Sequence, residues 1–113
     1  TEDVKSLSAK LKANEIKDKL INLEHNLSLQ IDILQNDLQT SVKNHELIKK
    51  KIIPLQRKIQ KTLENYNSFD KVKPSQTISN LNELISYELK AMDEVQNYYE
   101  NYSKLIYITK KDK

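Results

Sequence analysis

Residues 16–42 read IKDKLINLEHNLSLQIDILQNDLQTSV, and their apolar positions decide the fold. Ile16, Leu20, Leu23, Leu27, Ile31, Leu34, Leu38 and Val42 follow one another at steps of 4, 3, 4, 4, 3, 4 and 4. This is helical spacing, nearer an 11-residue repeat than strict heptads, and it suits a straight or slightly right-handed supercoil. Inside the stretch Leu27, Leu29, Ile31 and Ile33 alternate with polar residues as a strand would. Helical spacing on both sides and the lack of flanking turn residues make helix the reading. Upstream, Val4, Leu7 and Leu11 add a 3, 4 run. Downstream, after a six-residue gap, Ile48, Ile52, Leu55, Ile59, Leu63 and Tyr66 resume at 4, 3, 4, 4 and 3.

Pro54 interrupts this pattern. In a helix interior it removes one hydrogen bond and crowds the carbonyl four residues earlier, at a cost of about 3 kcal/mol. A new helix starting there would be capped by Ile53, and Ile is a poor N-cap. The apolar steps run through Pro54 in phase, from Ile52 to Leu55 to Ile59. One helix over about residues 3–66, kinked near 50–54, is therefore expected; a break at Pro54 would give three helices instead.

The second interruption is a turn. Asn65 to Gln76 reads NYNSFDKVKPSQ, clustering Asn, Ser, Asp and Pro74, which places a loop at about 67–75. Ser75 or Thr77 can cap the helix that follows, expected over about 76–109. Its apolar residues Ile78, Leu81, Ile85, Met92, Val95, Tyr99, Tyr102 and Ile106, with Glu88 as the polar member, step 3 and 4 throughout. That is a heptad seam, widened by Leu84, Leu89, Tyr98 and Leu105. Residues 110–113 read as a basic, solvated end.

Charge argues for chain reversal. Residues 43–61 hold Lys43, Lys49, Lys50, Lys51, Arg57, Lys58 and Lys61 against Glu46, a net of +6, although the whole chain carries only +3. A reversal near residue 71 sets residues 81–99 opposite, where Glu83, Glu88, Asp93 and Glu94 against Lys90 give −3. Such flanking charges choose orientation and register, while the apolar seam supplies stability. The fold expected is all-α: an elongated coiled-coil hairpin with a long first helix kinked near Pro54 and a shorter antiparallel second helix.

The lengths do not match. At 1.5 Å per residue the first helix runs about 95 Å and the second about 50 Å. Residues 3–32 are left with no partner inside the chain, yet they carry Val4, Leu7, Leu11, Ile16, Leu20, Leu23 and Leu27. An isolated striped helix is marginal in water, so this stripe is the expected partner interface. Tyr98, Tyr99, Tyr102 and Tyr107 form a second candidate interface, because tyrosine buries area while keeping a polar tip. Two of the four could equally fill the hairpin seam.

Composition limits the chemistry. The 113 residues contain no glycine, so no phosphate-cradling loop or nucleophile elbow can form. There is no cysteine, hence no disulfide and no thiolate metal site. His25 and His45 lie twenty residues apart, too far to share a metal on one straight helix. No Ser, His and Asp grouping suggests a nucleophile with its base. The expectation is a protein without catalytic residues, cofactor, metal or small-molecule substrate. Lys49, Lys50, Lys51, Arg57 and Lys58 form a basic patch that could meet nucleic acid or an anionic membrane. The facing acidic helix offers a structural answer to it, and a single arginine is little for phosphate recognition. The longest apolar run, Leu105 to Ile108, is far short of a membrane span. The chain begins at Thr1 without a signal peptide, which suits a segment of a longer intracellular protein. The function expected is a structural coiled-coil module that assembles with itself or with other helical subunits. The alternative is a basic adaptor acting through residues 43–61.

Overall fold

The computed structural model describes residues 2–69 and 71–110. Asp70 of the loop and residues 111–113 of the basic tail lie outside that description. The described chain is helical apart from the turn: α1 spans Glu2–Leu47, a single π-helical turn Ile48–Ile52, α2 Ile53–Ser68 and α3 Pro74–Thr109. The molecule is a rod of 98 × 28 × 15 Å with a radius of gyration of 27.2 Å. A compact chain of this length has a radius near 13 Å. The accessible surface is 9609 Å², where a compact monomer of 13.3 kDa exposes about 6,500 Å². Much of the apolar surface therefore stays in contact with water.

The first helix passes through Pro54 without a break. Leu47 and Ile53 have helical dihedrals (φ −59°, ψ −47° and φ −59°, ψ −48°), and the Ile53 N–H donates to the Ile48 carbonyl across a five-residue interval. The π turn is the physical answer to the proline. Pro54 has no N–H to give and its ring crowds the carbonyl four residues back. A widened turn just upstream absorbs one extra residue and lets the helix continue.

That extra residue changes which side chains face α3. On α1 and the π turn, Ile31, Leu34, Leu38, Ser41, His45, Ile48 and Ile52 are buried or partly buried, at alternating steps of 3 and 4. Beyond the π turn the inward positions become Ile53, Gln56, Gln60, Leu63 and Asn67. The expectation that the stripe keeps its phase through Pro54 is thus corrected. Leu55, Ile59 and Tyr66, the expected continuation, are exposed. Val42 is exposed as well, and Ser41 and His45 bridge the apparent gap.

α3 brings a similar correction. Its inward positions are Thr77, Asn80, Leu84, Tyr87 and Ala91, then Glu94, Tyr98, Asn101, Leu105 and Ile108, stepping 3 and 4 throughout. The expected heptad from Ile78 to Ile106 lies one residue, or about 100°, away from this line. Its apolar members are all exposed. The first turn of α3 also differs from expectation. Lys73 stands at the cap with no side-chain hydrogen bond, and Pro74 opens the helix, where its missing N–H costs nothing.

The core is small. Ile48, Ile53 (3% exposed) and Ala91 (0%) form its buried center, with Ile52, Leu84 and Tyr87 packed around them. Ala91, fully buried, clusters with Ile48 of the π turn. Toward the loop the contact is polar. Asn80 Nδ2 donates to Gln60 Oε1 at 2.9 Å and to the Gln56 carbonyl at 3.3 Å, and Gln60 Nε2 donates to Glu64 Oε1 at 3.0 Å. Gln56 Oε1 and Thr77 Oγ1 are buried without a hydrogen-bond partner among the described residues. Contacts pair falling numbers on the first helix with rising numbers on α3. Gln60 meets Asn80, Arg57 meets Glu88, and Ile48 clusters with Ala91. At the far end Ile33 and Leu34 share a groove with Tyr107 and Ile108.

Candidate interaction surfaces

Three surfaces follow from this arrangement, and the first is the arm that precedes the paired stretch. Every residue from 2 to 30 is exposed, because α3 ends level with the low thirties of α1. The arm stripe Val4, Leu7, Leu11, Ile16, Leu20, Leu23 and Leu27 lies in water, from 66% exposed at Val4 to 38% at Leu27. Ile21 and Leu29 broaden it. Along its length one ion pair is formed among the described residues, Glu15 with Lys19 at 3.6 Å, a local helix contact that leaves the stripe open.

The second surface is the outer stripe of α3: Ile78, Leu81, Ile85, Met92, Val95, Tyr99, Tyr102 and Ile106, exposed from 41% at Val95 to 66% at Met92. Glu88 sits within this line and accepts from Arg57 Nη2 at 3.0 Å, so the ion pair spans the two helices beside the stripe. Sequence reasoning found these residues but gave them the wrong neighbor.

The tyrosine cluster divides between the inner seam and the outer stripe. Tyr98 is partly buried in the inner seam, meets Tyr99 edge-on at 5.5 Å and stacks on Tyr102 at 6.2 Å. It also lines a groove of about 240 Å³ with Ser41, Val42, His45 and Glu94. Tyr99 and Tyr102 belong to the outer stripe. Tyr107, 84% exposed, stands at the rim of an apolar groove of about 510 Å³ with Ile33, Leu34 and Ile108.

The third surface is basic. Lys49, Lys50, Lys51, Arg57 and Lys58 are all exposed. Lys50 lies 3.9 Å from Glu46 and Arg57 meets Glu88, while Lys49, Lys51 and Lys58 make no ion pair among the described residues. Among the described residues, Arg57–Glu88 is the one ion pair that α3 makes with this patch. His45 is partly buried and His25 exposed on the arm. No group of three His, Cys, Asp or Glu side chains gathers at metal-binding distance among the described residues. None of the described helices is long and apolar enough to cross a membrane. No family model matches the chain, and no curated protein or solved structure matches it.

Proposed function

We propose that the chain is a structural interaction module: an antiparallel coiled-coil hairpin with a protruding arm, assembling with itself or with other helical subunits. One observation carries this reading. A helical arm of 29 residues with a seven-member apolar stripe is wholly exposed. Contiguous exposed apolar surface of this extent marks a docking site, and a regular helical stripe calls for a partner helix. The order of the contacts between α1–α2 and α3 supports the antiparallel sense. The buried Asn80–Gln60 pair supports a fixed register, since a polar pair in a seam penalizes slipped alternatives.

The test is Leu23→Asp. It places an uncompensated charge in the arm stripe and should abolish association, while the paired helices, beginning near Ile31, keep their circular dichroism. Sedimentation over a concentration series, alone and with candidate helical partners, reads the outcome. A wild type that stays monomeric under all these conditions sinks the reading.

The basic patch supports a second reading, as an adaptor for nucleic acid or anionic membrane. The observation in its favor is that Lys49, Lys51 and Lys58 are exposed and free of ion pairs among the described residues. Binding to DNA or anionic vesicles that falls steeply with salt, and disappears in a Lys49, Lys50 and Lys51→Glu variant, would favor it.

A further inference from the structure

We infer that the occupant of the outer stripe of α3 is the arm of a second copy of this chain, and that two copies exchange arms head to tail. The inference rests on the interaction-module reading and names its partner.

Length is the first argument. The arm, residues 2–30, and the outer stripe, residues 78–106, are each about 43 Å long. Two 98 Å rods laid side by side in opposite directions bring each arm beside the other copy's α3 along its whole length. The rest of each rod is already paired within its own chain. Each end of such a dimer becomes a three-helix bundle, with the arm parallel to the α3 it covers. The interface repeats itself under a two-fold axis, as a closed dimer requires.

Charge favors this pairing over α3 on α3. The arm, residues 2–30, holds Lys5, Lys10, Lys12, Lys17 and Lys19 against Glu2, Asp3, Glu15, Asp18 and Glu24, a net of 0, with a basic stretch of +3 over residues 5–19. Residues 78–106 of α3 hold Glu83, Glu88, Asp93, Glu94 and Glu100 against Lys90 and Lys104, a net of −3, with an acidic stretch of −4 over residues 83–100. α3 on α3 sets −3 beside −3, whereas arm on α3 lays the basic stretch of the arm along the acidic stretch of α3. With full overlap, Lys17 falls within about a turn of Glu88 and Lys19 within about a turn of Asp93.

Area is sufficient. Seven arm residues and eight α3 residues meet in each contact, and the contact occurs twice. At roughly 50 Å² each, the dimer covers on the order of 1,500 Å², the size of a standard stable interface.

Complementation tests the exchange. Leu20→Asp spoils only the arm, and Met92→Asp spoils only the outer stripe; both positions are exposed in the monomer, so the helices stay folded. Alone, each variant damages both contacts of its homodimer and should weaken association by about a hundred-fold or more. Mixed in equal amounts, the two retain one intact contact, the normal arm of one on the normal α3 of the other, and sedimentation should show a heterodimer. A second readout leaves both stripes untouched. Because the chain has no cysteine, Lys10→Cys and Asn82→Cys can be introduced in separate copies, and mixing should give a cross-link between them.

A mixture that stays dissociated, from a wild type that dimerizes, overturns the exchange but leaves the module reading standing. A wild type that is monomeric alone, gives no cross-link, and binds a different helical protein through Leu23 overturns the exchange in the same way. A wild type that binds nothing removes both.

Discussion

Exchanging size at two adjacent positions decides which face of α3 meets the first helix. Ala91 is fully buried against Ile48 and Ile53, while Met92 is 66% exposed on the outer stripe. Ala91→Leu adds three carbons where only a methyl group fits, and overpacking of this kind costs about 1–3 kcal/mol. Met92→Ala removes a side chain that stands mostly in water, and a surface change of this kind stays within about 0.5 kcal/mol. Helix propensity barely separates Ala, Leu and Met, so packing dominates the comparison. Had the heptad through Ile85, Met92 and Tyr99 faced inward, the ranking would reverse, with Met92→Ala costing about 2–5 kcal/mol. Urea unfolding followed by far-ultraviolet circular dichroism measures both variants, at a concentration where sedimentation reports monomer so that association does not contribute. If Met92→Ala is the more destabilizing of the two under those conditions, the inner seam has been misplaced by one residue.

Other perturbations probe separate parts of the rod. Asn80→Ala strips Gln60 Oε1 of its donor and should cost about 1–3 kcal/mol, whereas Asn80→Leu combined with Gln60→Leu should come out near neutral in the same unfolding assay. Arg57→Ala breaks an ion pair whose side chains are 64% and 43% exposed, and should cost less than about 1 kcal/mol, with the loss shrinking as salt is added. Ile53→Ala empties a 3% exposed site in the core and should lower stability by about 2–4 kcal/mol, visible as a shifted urea midpoint at unchanged slope.

Helix type, the turn and the unpaired arm were legible because each rests on a strong local signal. Leucines spaced 3 and 4 apart make α1, the run from Asn65 to Pro74 makes the turn, and unequal lengths make the arm. The facing of α3 was not legible for a physical reason. Leu84, Tyr98 and Leu105 lie beside Ile85, Tyr99 and Ile106, so α3 carries two adjacent stripes separated by about 100°. Apolarity favors the outer one, since the inner one includes Thr77, Asn80, Glu94 and Asn101. Regularity alone cannot say which of the two stripes meets the first helix. The phase shift at Pro54 was hidden for a different cause. A π turn inserts one residue into the backbone without any mark in the apolar spacing, so Ile52, Leu55 and Ile59 read as continuous although the structure turns Leu55 and Ile59 outward.

The π turn also sets an azimuthal rule for anything that binds alongside the rod. One extra residue rotates the apolar compass by about 100°, so the bearing of Leu55, Ile59 and Tyr66 is not the bearing that Leu20, Leu23 and Leu27 would project to if the helix were regular. A single straight partner cannot track both bearings; it would have to end near residue 50 or carry a compensating irregularity of its own. Deleting one residue within Ile48–Ile52 should turn the π turn into regular α-helix and keep Ile53, Gln56 and Gln60 toward α3, with Leu55 and Ile59 still outward. The location of this five-residue turn therefore limits how far along the chain any one straight partner can extend.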